Sequence, residues 1–182
     1  MASETRPAAV TGVQLERLPR AQQRLHILHL EDSEDDHALT VLQLRRAGLQ
    51  AEFTRVDDLR AFEAALAQPW DAILSDYNLP GFTGLDALAV FRASGLVLPF
   101  ILVSGEIGED TAVEAMRSGA SDYLLKQNLA RLAPALERAI EASESRRARL
   151  QADRELAVSR QRLSELAQHL QTSIENERSA IS

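Results

Sequence analysis

Apolar residues cluster in short runs along the first two thirds of the chain, separated by amphipathic stretches. The runs Leu25-His26-Ile27-Leu28-His29-Leu30, Ala51–Val56, Asp71–Ser75, Pro99–Val103 and Asp122–Leu125 read as strands. Most are too continuous for one-sided burial, which is the pattern of strands covered on both faces. Between them, Ser33 can cap a helix ending near Gly48, and Asp57 can cap a second with Leu59, Phe62 and Leu66 on one face. A third helix is predicted over 85–93 with Gly95 as its stop, and a fourth over 110–118 with Ala112, Val113 and Met116 facing inward. This βα alternation predicts a parallel sheet with helices on both faces.

From Leu132 onward the pattern changes. There is no glycine, and the one proline, Pro134, fits a helix's first turn. Leu136, Ile140, Ser143, Arg147 and Leu150 follow steps of four and three, as do Leu163, Ala167, Leu170, Ile174, Glu177 and Ile181. Heptad spacing of this kind predicts a coiled-coil seam and a parallel homodimer, with Leu136, Ile140, Leu150, Leu163, Ala167, Leu170 and Ile174 in the seam. The two stretches do not share one register, so a discontinuity is expected near 152–159. The polar segment 1–23 lacks periodicity and reads as a flexible arm, followed by a domain over 24–140 and a helix over 141–182.

The chemistry gathers at strand ends. Glu31-Asp32 follows the first strand, Asp76 ends the third, Ser104-Gly105 ends the fourth and Lys126 ends the fifth. Parallel strands bring their C-terminal ends to one edge, where open α/β sheets bind ligands. Three carboxylates on one edge repel unless a cation sits among them, and oxygen ligands with room for water suit Mg²⁺. A lysine adds a point charge for phosphate and a serine hydroxyl adds a hydrogen bond, so Asp76 can serve as a carboxylate nucleophile towards a phosphoryl group.

Four motifs stand in register: Glu31-Asp32, Ser75-Asp76-Tyr77-Asn78-Leu79-Pro80-Gly81, Val103-Ser104-Gly105, and Ser118 through Lys126. Together they resemble the receiver domain of two-component response regulators over about residues 25–140. The resemblance implies a flavodoxin-like, doubly wound five-stranded sheet in the order 2-1-3-4-5. It implies that Asp76 accepts a phosphoryl group from a histidine kinase or phosphotransfer protein. Asp32, Asp76 and the carbonyl of Asn78 would hold Mg²⁺, with Glu31 reaching it through water. Ser104 and Lys126 would bind the phosphoryl oxygens, and Tyr123 would swing inward on activation. One departure is visible: most receivers follow the lysine with proline, commonly as a cis peptide, whereas Gln127 stands here. A cis bond without proline costs about 3–4 kcal/mol, so a trans peptide or local strain is expected. The stretch Glu175–Ser182 resembles the lead-in to a histidine-kinase dimerisation helix, which would make this chain the N-terminal receiver and signalling helix of a larger sensor kinase.

Composition narrows the alternatives. A formal charge of −7 with no basic stripe argues against nucleic acid, and the absence of cysteine excludes disulfides and thiolate metal sites. With no long apolar run and no signal peptide, a cytoplasmic location away from the membrane is expected. His26 and His29, three apart on a strand, point to opposite faces and are poor partners for a metal. His169, followed by Leu170-Gln171, reads as a helix-surface residue and not as a phosphoacceptor. Two other classes remain: a constitutive dimerisation adaptor that never turns over phosphate, and an aspartyl-nucleophile phosphatase. The latter, of the haloacid dehalogenase type, needs a second aspartate two residues after the nucleophile, where Asn78 stands.

Overall fold

The computed structural model describes residues 24–106 and 108–181; the arm expected over 1–23 lies outside them. Twelve elements and one 3₁₀ stretch follow in order: β1 (Leu25–Leu30), α1 (Glu34–Arg46), β2 (Ala51–Val56), α2 (Leu59–Ala65), β3 (Ala72–Asp76), β4 (Asn78–Leu79), β5 (Phe82–Thr83), α3 (Gly84–Ala93), β6 (Phe100–Ser104), α4 (Glu109–Arg117), β7 (Asp122–Leu125), a 3₁₀ segment (Lys126–Arg131) and α5 (Leu132–Ala180). The five long strands pair in parallel in the order β2-β1-β3-β6-β7. Leaving aside the two-residue hairpin β4–β5, this is the expected 2-1-3-4-5 topology.

The central strands β3 and β6 are buried at every position, and alternation divides their side chains between two cores. Ile73, Phe100 and Leu102 pack under Phe62 of α2 and Leu88 and Phe91 of α3. Leu74, Ile101 and Val103 pack on the other face under Leu44 of α1 and Leu132, Leu136 and Ile140 of α5. A sheet covered on both faces needs no polar alternation, which is why these runs are apolar throughout. Trp70 lies against the first of these cores, with its indole N–H donating to the Ala65 carbonyl at 2.7 Å.

Local chemistry sets the helix starts. Ser33 caps α1 by accepting from the Asp36 amide, and Thr83 with Asp86 forms a reciprocal capping box on α3. The cap of α2 is Asp58, not the expected Asp57, because the chain stays extended through Asp58 and its carboxylate accepts from the Ala61 amide at 2.7 Å. The inward face of α4 also differs from expectation. Ala115 is the buried residue, while Val113 and Met116 are about half exposed, at 49% and 48%. This nine-residue helix lays only a narrow stripe of small side chains on the sheet.

α5 runs for 49 residues without a break. Its first three turns belong to the domain: Leu132, Ala133, Ala135, Leu136, Ile140 and Ser143 are buried. Leu136 and Ile140, expected in an intermolecular seam, are therefore core residues of the same chain. From Ser145 to Ile181 every residue is exposed. Among the described residues, no helix is long and apolar enough to cross a membrane.

Candidate functional site: an acidic edge around Asp76

The strand registers bring the chemistry together. Leu30 pairs with Ser75, Asp76 with Val103 and Ser104 with Leu125, so Glu31, Asp76, Ser104 and Lys126 emerge at the same edge of neighbouring strands. Carboxylate oxygens of Glu31, Asp32 and Asp76 lie within 4.8 Å of one another. Glu31 and Asp76 are buried and Asp32 is exposed. Gly84 lets the start of α3 press against the end of β3. A Cβ there would meet the Asp76 carbonyl oxygen at 2.6 Å and also collide with Leu102. Asn78 opens the hairpin two residues beyond Asp76 and pairs with Thr83 across it.

Lys126 is the cation of the site. Its ammonium donates to Glu31 Oε2 at 3.1 Å, Asp76 Oδ2 at 3.0 Å and Asp36 Oδ2 at 2.5 Å. Burial works against its charge, but the bonds to Asp36, Asp76 and Glu31 outweigh that and raise its pKa above the ordinary lysine value. Glu31 is pushed up from the usual carboxylate range by burial and by the Asp76 charge, against the opposing bonds from Ser33 and Lys126. Its second oxygen, Oε1, accepts from the Ser33 amide at 3.0 Å. Both Glu31 oxygens are thus engaged.

Asp76 is not so satisfied. Its Oδ1 is buried and has no hydrogen-bond partner among the described residues. A buried carboxylate oxygen without a partner is costly and calls for a cation or donor. Together with two further carboxylates within reach, this orphan oxygen fits a small hard divalent cation bound through oxygen. Ser104 stands beside it with its hydroxyl directed elsewhere, donating to the Glu106 carbonyl and accepting from the Glu106 amide, both at 3.2 Å. The Tyr123 hydroxyl donates to that same carbonyl at 3.3 Å. Tyr123 is half-buried against the core. None of the described peptide bonds is cis, and after Lys126 the chain turns directly into the 3₁₀ segment.

Several neighbours were not among the expected site residues. Asp36 is the third residue of α1, and a side chain at that position points back towards the cap and the strand end. That helical position was the available signal. Arg55 on β2 donates to the Glu31 carbonyl at 3.0 Å and to Glu34 at 3.2 Å, tying the acidic loop to the sheet. His29 is 1% exposed and its Nδ1 lies 2.8 Å from Nδ1 of His37 on α1. Burial first, then the nearby His37, Lys126 and Arg55 charges, lower its pKa to about 3, so the ring is neutral and one imidazole donates to the other. His26 faces the opposite side, as expected from its spacing. No periodicity in the sequence links positions 29 and 37; only the packing of α1 on β1 does.

Comparison with known proteins agrees with this geometry. The response regulator receiver domain family model matches residues 27–137. FleR, a response regulator protein of Pseudomonas aeruginosa, is 41% identical over 76 residues, which is 41% of this chain and 16% of that protein. DctD of the same organism, a C4-dicarboxylate transport transcriptional regulatory protein, is 34% identical over 103 residues, or 55% of this chain and 21% of DctD. The chain therefore spans only a small part of these relatives. Among solved structures, the receiver domain of sensor histidine kinase PA1611 from Pseudomonas aeruginosa PAO1 has a magnesium ion coordinated in its active-site cleft. It is 30% identical with a TM-score of 0.56, covering 65% of this chain and 99% of that one. Full-length FixJ from B. japonicum is 30% identical with a TM-score of 0.60, covering 68% of this chain and 61% of FixJ.

Proposed function

Because the chain belongs to the response regulator receiver domain family, we propose that it is a phosphorylation-controlled module of a cytoplasmic two-component relay, with Asp76 as the phosphoacceptor. The observation that carries this reading is the Asp76 carboxylate itself. It is buried at the ligand-binding edge of a parallel sheet, with one oxygen held by Lys126 and the other unpartnered.

In this mechanism a carboxylate oxygen of Asp76 attacks the phosphorus of a phosphohistidine donated by a histidine kinase or phosphotransfer protein. The P–N bond breaks as the acyl P–O bond forms, and the imidazole leaves with the electron pair. Lys126 offers a charge-assisted hydrogen bond to the incoming phosphoryl oxygens, exchanging one of its carboxylate partners for them. Ser104 supplies a second bond by turning away from the Glu106 carbonyl. Asp32, Asp76 and the Asn78 carbonyl would hold Mg²⁺, with Glu31 contributing through water because its own oxygens are engaged. Bound there, the ion would offset the charge that carboxylates and phosphoryl oxygens bring together. Release of Glu106 by Ser104 would loosen Tyr123, which shares that carbonyl, and so pass the state to the α4–β7 face. The domain over 24–140 is then the receiver, and the helix over 141–182 carries the state onward in a homodimer towards a histidine-kinase output.

Intact mass after incubation with acetyl phosphate and Mg²⁺, with and without EDTA, tests this. A metal-dependent gain of one phosphoryl group that Asp76→Asn abolishes is the expected result. No gain on folded protein would instead leave a constitutive adaptor.

A further inference from the structure

α5 carries two apolar faces that do not line up. Leu136 packs on the domain, and Leu163 lies 27 residues farther along. At 3.6 residues per turn that is about 7.5 turns, so Leu163 points away from the side on which Leu136 meets the sheet. Ile140 and Ile174 are 34 residues apart, about 9.4 turns, and are again close to half a turn out of phase. Leu150, by contrast, is 14 residues beyond Leu136 and nearly in phase with it, at about 3.9 turns. It lines a groove on the receiver side with Leu96, Met116, Ala139 and Ala142. The change of phase falls between Leu150 and Leu156, within an unbroken helix.

Beyond that change, Leu156, Leu163, Leu170 and Ile174 are 51%, 65%, 58% and 57% exposed. Leu156, Leu163 and Leu170 repeat at seven residues, as do Ala167, Ile174 and Ile181. A lone helix has no use for a seven-residue repeat; a second helix wound along it does. Along Leu163–Ile174 the positions flanking the seam are Ser164, Leu166, Gln171 and Ser173, none of them charged. Two identical faces can therefore meet there without like charges opposing at the edges. Arg160 and Glu177 bracket the apolar layers and meet their own copies in a parallel pair, which limits its strength.

The geometry points to a second copy of this chain as the occupant of this distal face. The two receivers are carried at one end, on the outer sides of the helix pair and without a receiver–receiver interface. This rests on the homodimer proposed above and specifies its architecture: the seam begins at Leu156, and Leu136, Ile140 and Leu150 take no part in it. Each acidic edge then stays open to a donor while the helices remain paired.

The chain contains no cysteine, so single-cysteine variants of the full chain report contacts cleanly. Under mild oxidation, Ala167→Cys and Ile174→Cys are each expected to run mostly as cross-linked dimer, whereas Leu150→Cys and Ala142→Cys stay monomeric on denaturing gels. Cross-linking at Leu150→Cys or Ala142→Cys instead would overturn the outward placement while leaving the homodimer standing. An Ala167→Cys and Leu170→Cys mixture that cross-links when neither position cross-links to itself would mean an antiparallel pair and overturn the shared end. Monomeric mass by light scattering, with no cross-link at any position, would remove the homodimer itself.

Discussion

The first three turns of α5 and the ten or so that follow share one uninterrupted helix, yet they are held in place by different things. The proximal turns bury Leu132, Leu136 and Ile140 against the sheet, in the same core as Leu74 and Ile101. The distal turns expose every side chain and are supported within the chain by helix propensity and by i,i+4 bonds such as Gln161 to Glu165 at 3.1 Å. A heptad-like spacing therefore means two different things in one element. In the first half it marks a helix packed on its own domain. In the second it marks a face with nothing from the described domain upon it.

Truncation of one leucine in each half breaks or sharpens that contrast most strongly. Leu136→Ala should cost about 2–5 kcal/mol of receiver stability, seen as a lower midpoint in urea. Leu170→Ala should leave that receiver transition within about 0.5 kcal/mol. Equal losses in both would show that the distal helix is part of the cooperative unit.

A pH titration of stability adds a second contrast, because the buried titratable groups lie in the domain and not in the distal helix. His29 has a folded pKa lowered to about 3 from 6.5. The folded state therefore binds fewer protons than the unfolded one in between. Stability from this group is fully present above about pH 6.5 and is lost progressively as pH falls towards about 3. In EDTA, the double replacement His29→Leu, His37→Leu removes both imidazoles together and should flatten this limb. An unchanged acid limb would place the dependence elsewhere. Glu31 has the opposite sign: its raised pKa makes stability fall as pH rises through and above the ordinary carboxylate value.

Smaller effects separate the halves more finely. Asp58→Ala removes the cap of α2 and should lower the receiver's unfolding free energy by about 1 kcal/mol. Glu165→Ala removes a distal helix pair worth only about 0.2–0.5 kcal/mol, and should be visible as a slight loss of helicity with no change in the receiver midpoint. A receiver transition that moved with Glu165 would mean that distal order feeds back on the domain.

Much of the receiver was legible because its signals are local. Continuous apolar runs marked the buried strands, and Ser33 marked the start of α1. Strand ends marked Glu31, Asp76, Ser104 and Lys126, since parallel pairing leaves few places for them to go. Misplaced features turned on distances that sequence spacing does not carry. Asp57 and Asp58 are equally good caps by residue type, and only the extended backbone at Asp58 chooses between them. Val113 and Met116 satisfied a helical face, but the nine-residue α4 turns only Ala115 fully onto the sheet and leaves both of them about half exposed.

Residue order alone settled the parallel α/β class of the sheet, the clustering of carboxylates with one lysine, and the helical character of the tail, because each follows from hydrophobic periodicity and chain direction; the strand order came from the family resemblance. Tertiary packing decided the rest. It brought Asp36 to Lys126, paired His29 with His37, left Asp76 Oδ1 without a partner, and assigned Leu136 and Ile140 to the chain's own core. The physical reason is the same each time. Periodicity says which side chains share a face, whereas the partner of that face depends on which surfaces the folded sheet leaves within a few ångströms.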